Sequence, residues 1–195
     1  MRRYEAHDLR SDPLRAELIN GIVYIMTPAH FESHGATDSL LQTWLGVYAS
    51  YAPRVKHAIN ATVKLNCRDT VQPDGLLWDM RGSQARLNAD DYLEGAPELI
   101  VETSASSASY DSREKLESYL RAGVCEYIIW RTLDCELDWF ALQNGEYVRL
   151  PLDDQGVIRS RHFPGLWLNV RAVLVENRKE VLRTLDGGMS AGGLK

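Results

Sequence analysis

The sequence is poor in cysteine, and this limits the kinds of protein it can encode. Its three cysteines, Cys67, Cys125 and Cys135, form an odd and widely spaced set. Such a set favours neither a disulfide framework nor a zinc cluster, and it fits a reducing compartment better than a secreted protein. We therefore expect a cytoplasmic protein.

Long apolar runs are also absent. No stretch approaches the roughly 18 apolar residues that a helix needs to cross a bilayer. The basic start of the chain, Met1-Arg2-Arg3, leads into no apolar signal segment. The sequence therefore predicts neither a membrane-spanning protein nor a cleaved secretory leader.

Positive charge is scarce as well. The chain has 22 Lys and Arg against 27 Asp and Glu, which gives a formal net charge of −5. This balance disfavours a protein that coats nucleic acid through bulk positive charge. It does not exclude a nuclease, because clustered acids can hold divalent cations that the formal charge omits.

Several short catalytic motifs are missing. The chain contains no phosphate-binding glycine loop, and its serine-rich segment 104–109 contains no nucleophile elbow of the serine-hydrolase type. His30 and His34 are four residues apart and could form a metal-binding pair on one helical face. No third ligand has a suitable spacing, so a capping or surface role is favoured for both.

The length and composition are those of one globular domain. The chain has 195 residues, of which 45% are apolar and 25% are charged, and such values are typical of a single domain. We therefore expect one domain over residues 1–195.

Hydrophobic periodicity predicts a mixed α/β fold. Helices are predicted over 31–50, 111–122 and 169–185, followed by a frayed tail at 187–195. Residues 81–96 are expected to be irregular, with room for a short helix. This order of elements predicts a mixed sheet with helices on its faces. The predicted strands comprise a hairpin at 16–26 and segments 55–65, 71–78, 98–103, 126–130, 136–142 and 147–150.

Two acids stand at or near the ends of apolar, strand-like runs. Asp74 ends Val71-Gln72-Pro73-Asp74, and Glu102 ends the apolar run that begins at Leu99. Burying a carboxylate without a partner is costly, and a divalent cation can compensate two converging acids. The alternative is that both acids lie on exposed loop edges and pair with arginine or water.

Lys115 and Glu17 are two further candidates. Lys115 lies near the first turn of the predicted helix 111–122, where the helix dipole disfavours a cation. It could orient an attacking water and offset negative charge, or it could be a solvated partner of Asp111. Glu17 could hold a second metal or a metal-bound water, or it could lie on the solvent face of its strand.

The order of these residues resembles the Uma family of restriction endonucleases, which belongs to the PD-(D/E)XK nuclease superfamily. The similarity spans about residues 15–150, and it implies a restriction-endonuclease-like core with a mixed central sheet flanked by helices. It is carried by segments 17–26, 71–74, 94–102 and 110–127 and by His34.

The resemblance also implies roles for individual residues. Asp74 and Glu102 would be ligands of Mg²⁺, or of Mn²⁺, and the Thr103 carbonyl would be a third ligand. Glu17 would match the N-terminal acid of the family. Lys115 would match a catalytic lysine that has moved from the strand to the following helix.

Three functions remain open at this stage. The first is a metal-dependent endonuclease that hydrolyses phosphodiester bonds in DNA, and the resemblance implies that it acts as a homodimer. The second is a non-catalytic scaffold on the same fold that binds protein or nucleic acid, which the acidic net charge keeps open. The third is a hydrolase of a small phosphoester or nucleotide.

Overall fold

The computed structural model describes residues 16–25, 35–104 and 111–194. Within these residues lie four helices: α1 (Thr37–Tyr51), α2 (Asp111–Ala122), α3 (Val170–Leu174) and α4 (Arg178–Ala191). The strands are β1 (Ala16–Ile19), β2 (Ile22–Ile25), β3 (Val55–Ile59), β4 (Val63–Asn66), β5 (Asp69–Val71), β6 (Gly75–Asp79), β7 (Arg86–Leu87), β8 (Leu93–Glu94), β9 (Leu99–Ser104), β10 (Glu126–Arg131), β11 (Glu136–Gln143), β12 (Glu146–Arg149), β13 (Val157–Arg159) and β14 (Trp167–Asn169). The predicted α/β class is confirmed.

The central sheet has the strand order β12-β11-β10-β9-β6-β3. Its one parallel pair is β9 with β10, and α2 lies between these two strands in sequence. A helical connection is expected between parallel neighbours, because the end of β9 and the start of β10 lie at opposite edges of the sheet. The predicted mixed central sheet is therefore present.

Strand β9 is buried on both faces. Leu99 and Val101 point into a core formed with α1 and α4, whereas Ile100 points into a second core that includes Tyr119 of α2 and Val71 of β5. Burial on both sides accounts for the uninterrupted apolar run in the sequence.

A second six-stranded sheet, in the order β2-β1-β5-β4-β8-β7, was not predicted. Two predicted strands are each divided between the sheets. The run 55–65 breaks at Asn60, whose φ of 53° ends β3 before β4 begins. The run 71–78 breaks between β5 and β6, at a segment that contains Pro73, which has no N–H for a strand ladder. This second break places Asp74 where the two sheets meet.

The stretch 81–96 contains the short strands β7 and β8 and no helix. The predicted helix 31–50 begins as an α-helix at Thr37, and residues 26–34, which include His30 and His34, lie outside the described residues. None of the described helices is long and apolar enough to cross a bilayer.

The predicted helix 169–185 is divided into two helices, and the frayed tail predicted after it was wrong. Glu176, with a φ of 52°, separates α3 from α4, and α4 continues to Ala191. The sequence suggested a break at Gly187-Gly188. In the structure Gly188 permits close packing, since a Cβ there would lie 2.4 Å from the Gly165 carbonyl oxygen.

Met189 gives a test of the packed C-terminal helix. Its side chain is fully buried in the core shared with α1. Met189→Ala should therefore lower the free energy of unfolding by about 2 kcal/mol or more, measured by urea denaturation. Ser190→Ala, at an exposed neighbouring position, is the control. Equal stability of the two variants would indicate that the end of the chain is frayed, as the sequence predicted.

Candidate active site

The four predicted site residues converge at the junction of the two sheets. The Lys115 ammonium on α2 lies 3.1 Å from Glu102 Oε1 on β9 and 3.0 Å from Glu17 Oε2 on β1. Asp74, which directly precedes β6, accepts a hydrogen bond at Oδ2 from the Thr103 main-chain N–H at 2.8 Å. The candidate site therefore draws one residue from each of four separate segments.

Strand pairing explains why these segments meet. β6 and β9 are antiparallel with Gly75 opposite Val101, so Asp74 and Glu102 lie next to each other at the end of that ladder. β1 joins through its pairing with β5, and Glu17 Oε1 accepts a hydrogen bond from the Gln72 N–H at 2.7 Å. The second sheet thus delivers a third carboxylate to the two from the central sheet.

All four side chains are buried. The exposed fractions are 2% for Glu17, 8% for Asp74, 7% for Glu102 and 5% for Lys115. The alternatives of exposed loop acids, a solvent-face Glu17 and a solvated Lys115 are therefore wrong. The unfavourable position of Lys115 near the first turn of its helix is offset by contacts with two buried carboxyl groups.

The cluster carries more negative than positive charge. Burial raises the pKa of Glu102 to about 8, an effect that nearby Lys115 opposes and that the charges of Asp74 and Glu17 reinforce. Burial alone would lower the pKa of Lys115, but attraction to Glu102 and Glu17 outweighs it and raises that pKa above its ordinary value. Three carboxyl groups thus surround one ammonium, and a nearby divalent cation would favour the ionised form of all three.

The donor set fits a magnesium-type ion. No group of three or more His, Cys, Asp or Glu side chains among the described residues is arranged to hold a metal. Mg²⁺, however, commonly takes one or two carboxylates and completes its shell with water and substrate oxygens. Asp74 and Glu102 could supply the carboxylates, with the Thr103 carbonyl beside them.

Tyr119 is a site residue that the sequence analysis missed. Its hydroxyl donates a hydrogen bond of 2.5 Å to Glu102 Oε1, and its side chain is fully buried. Tyr119 lies one turn after Lys115 on α2, so both reach the same carboxylate. The four-residue spacing is a signal that the sequence contains, but the tyrosine resembled one more member of the apolar stripe.

Tyr119→Phe should therefore affect both the fold and the site. We expect a loss of about 1.5–3 kcal/mol in the free energy of unfolding, because a hydrogen bond to a carboxylate is removed, and a roughly tenfold weaker affinity for Mn²⁺. Tyr147→Phe is the matched control, since its hydroxyl bonds to the Val124 carbonyl outside the site. Equal Mn²⁺ affinities of the two variants, measured by calorimetry, would show that Tyr119 does not contribute to the metal site.

Burial alone does not mark a site carboxylate in this protein. Glu126 is 1% exposed, yet its two oxygens accept hydrogen bonds from Trp139 Nε1, the Ser160 hydroxyl and the main-chain N–H groups of Arg161 and His162. Those donors satisfy both oxygens, which is typical of a structural carboxylate.

Comparison with known proteins assigns the family. The model of the Uma2 family, described as "Putative restriction endonuclease", matches residues 2–171. The chain belongs to the Uma2 family. This confirms the resemblance found in the sequence. A search of functionally curated proteins found no match.

Solved structures show the same fold. A crystal structure described as that of a putative nuclease from Anabaena variabilis ATCC 29413 aligns with this Uma2 chain at a TM-score of 0.66 and 12% identity, over 87% of this chain and 96% of that one. The type IIG restriction endonuclease BpuSI aligns at a TM-score of 0.42 and 12% identity, over 87% of this chain and 19% of that one. The first alignment supports the fold, and the second is too weak to support an argument.

Proposed function

We propose that this Uma2-family protein is a Mg²⁺-dependent endonuclease that hydrolyses phosphodiester bonds in DNA, with Mn²⁺ as an alternative ion. The observation that supports this most is the buried Lys115 ammonium between Glu17 and Glu102, beside Asp74. A scaffold would have no need for this arrangement, because replacing buried ion pairs with apolar residues is often neutral or stabilising.

Asp74 and Glu102 are the proposed ligands, with the Thr103 carbonyl as the third. In the part of the chain that the structure describes, two hydrogen bonds reach the Glu102 carboxyl group, from Lys115 and from Tyr119, and both go to Oε1. Among the described residues Oε2 accepts none, so it is the oxygen that a cation would take. When bound, a divalent cation supplies positive charge at the scissile phosphate and lowers the pKa of water.

Lys115 is proposed to hold the attacking water. An ammonium group has three N–H donors. In Lys115 it donates a hydrogen bond to Glu102 and forms an ion pair with Glu17 Oε2 at 3.0 Å. The third donor can orient a water towards the phosphorus, and the ammonium charge offsets the negative charge that develops there. Glu17 and Glu102 fix the position of the ammonium group during this step.

The test is cleavage of supercoiled plasmid DNA with Mg²⁺ or Mn²⁺. We expect Asp74→Asn to lose cleavage and calorimetric Mn²⁺ binding, whereas Asp90→Asn, at an exposed carboxylate, should keep both. Cleavage by Asp74→Asn at the rate of the unmodified protein would defeat the assignment. If calorimetry detects no Mn²⁺ binding that depends on Asp74, the non-catalytic scaffold is favoured. If the protein hydrolyses small phosphoesters but not DNA, a hydrolase of small phosphoesters or nucleotides is favoured.

We also propose that the protein acts in the cytoplasm as a homodimer, which would let two sites act on the two DNA strands. Ile22, Val23 and Ile25 of β2 are each more than half exposed, and such apolar side chains favour contact with a second copy. Val23→Lys should shift the sedimentation coefficient from dimer to monomer, and a monomeric unmodified protein would contradict this proposal.

A further inference from the structure

A chain of polar contacts runs from α1 to the candidate site. The Thr103 hydroxyl donates a hydrogen bond of 2.9 Å to Asp38 Oδ1. The same oxygen accepts a hydrogen bond of 2.9 Å from Gln42 Nε2, one helical turn further along α1. Thr103 directly follows Glu102, and its N–H binds Asp74. The α1 contacts therefore end at Thr103, which connects the two proposed carboxylate ligands and supplies the proposed third ligand.

The Gln42 amide is held at both ends. Its Oε1 lies 3.0 Å from His57 Nε2 on β3. An ionised carboxylate only accepts hydrogen bonds, so the amide nitrogen must face Asp38 and the amide oxygen must accept from His57. The Gln42 side chain is also 7% exposed, among apolar neighbours on the buried face of α1. A buried amide in such a place is costly unless its hydrogen bonds are made.

Gln42 also packs against the backbone next to Asp74. A Cβ placed on Gly75 would lie 2.4 Å from Gln42 Oε1 and 2.8 Å from Nε2. Gly75 directly follows Asp74 and starts β6. The amide therefore contacts the segment that carries Asp74 and, through Asp38, the segment that carries Glu102.

We propose that Gln42 is a positioning residue for the metal site, holding Asp38 against Thr103 and the Gly75 backbone in place. The separation of Asp74 and Glu102 is then set partly from α1. This proposal rests on the proposed function, because it assumes that the two carboxylates share a cation.

The first test compares Gln42→Met with Leu45→Met in the full chain. Both keep the side-chain volume, but Leu45 is an apolar residue of the core and makes none of the polar contacts that Gln42 makes. We expect Gln42→Met to weaken calorimetric Mn²⁺ binding tenfold or more, with faster amide hydrogen exchange at residues 99–104. Leu45→Met should leave both unchanged. A Mn²⁺ affinity of Gln42→Met within twofold of the unmodified protein would overturn the proposal.

A second pair of variants separates positioning from space filling. Gly75→Ala should displace the amide and weaken Mn²⁺ binding by a similar factor, although Gln42 is still present. In the double variant Gln42→Ala and Gly75→Ala, the new methyl group occupies part of the space that the amide leaves. We expect its unfolding midpoint to recover while its Mn²⁺ affinity stays low. Recovery of the Mn²⁺ affinity in the double variant would show that Gln42 only fills space.

Hydrogen exchange keeps the two proposals distinguishable. If the unmodified protein binds no Mn²⁺, the proposed function fails, and the role of Gln42 is judged by exchange alone. Faster exchange confined to the segments around Asp74 and Thr103 in Gln42→Met would then support a positioning role for the backbone. Unchanged exchange there would overturn it.

Discussion

Replacing Lys115 with methionine is expected to cost about 3–5 kcal/mol of unfolding free energy and to abolish cleavage. The ammonium lies within about 3 Å of carboxylate oxygens of Glu17 and Glu102, and both acids are at least nine-tenths buried. Methionine keeps much of the side-chain length and removes the charge, so the buried Glu17 and Glu102 side chains lose the ammonium that lies between them. Urea denaturation at pH 7 measures the loss, with Lys179→Met at an exposed position as the control.

Cleavage by Lys115→Met should fall at least about 100-fold, because the water and the developing charge both lose a positioned cation. Mn²⁺ binding should survive, since Asp74 and Glu102 are untouched and the site has become more negative. Normal cleavage by Lys115→Met would show that Lys115 has no role in catalysis. Loss of Mn²⁺ binding in Lys115→Met would show that Lys115 holds the metal ligands in position.

Glu102→Gln is expected to abolish cleavage as well, but through loss of Mn²⁺ binding and with little loss of stability. Mn²⁺ binding and cleavage should each fall at least about 100-fold, because an amide oxygen is a much poorer ligand for a hard cation than a carboxylate. Stability without metal should stay within about 1 kcal/mol of the unmodified protein, since the amide oxygen can still accept from Lys115 and Tyr119. Urea denaturation with a chelator and calorimetry with Mn²⁺ measure the two effects, and Glu146→Gln, at an exposed strand position, is the control.

The pH dependence of stability tests the raised pKa of Glu102. Because burial raises its pKa from 4.5 to about 8, the folded state binds a proton more tightly than the unfolded state. The contribution to stability is therefore fully present below about pH 4.5 and is lost as the pH rises towards 8. Glu102→Gln should lack this decline in metal-free protein. A decline of equal size in both proteins would assign it to another group.

The sequence predicted best those elements whose local signals agree with their tertiary surroundings. Helix 111–122 has the predicted bounds, and Gly123 ends it with a φ of 85°, as its position indicates. Strand β9 was recognised as a buried strand because both of its faces are apolar. The runs 55–65 and 71–78 lack such agreement, since each continues to look like a strand while the backbone passes from one sheet to the other.

The sequence by itself determined the family, the α/β class and the four charged candidates, because these depend on residue types in a fixed order. Only the tertiary structure decided that Glu17, Asp74, Glu102 and Lys115 are buried together, since burial depends on what the rest of the chain places around a residue. Glu126 shows the reason, because an equally buried acid is satisfied there by hydrogen bonds and needs no cation. Tyr119 and Gln42 were hidden in apolar helical stripes, and the contacts of Tyr119 with Glu102 and of Gln42 with His57 form only when α1 and α2 pack against the central sheet.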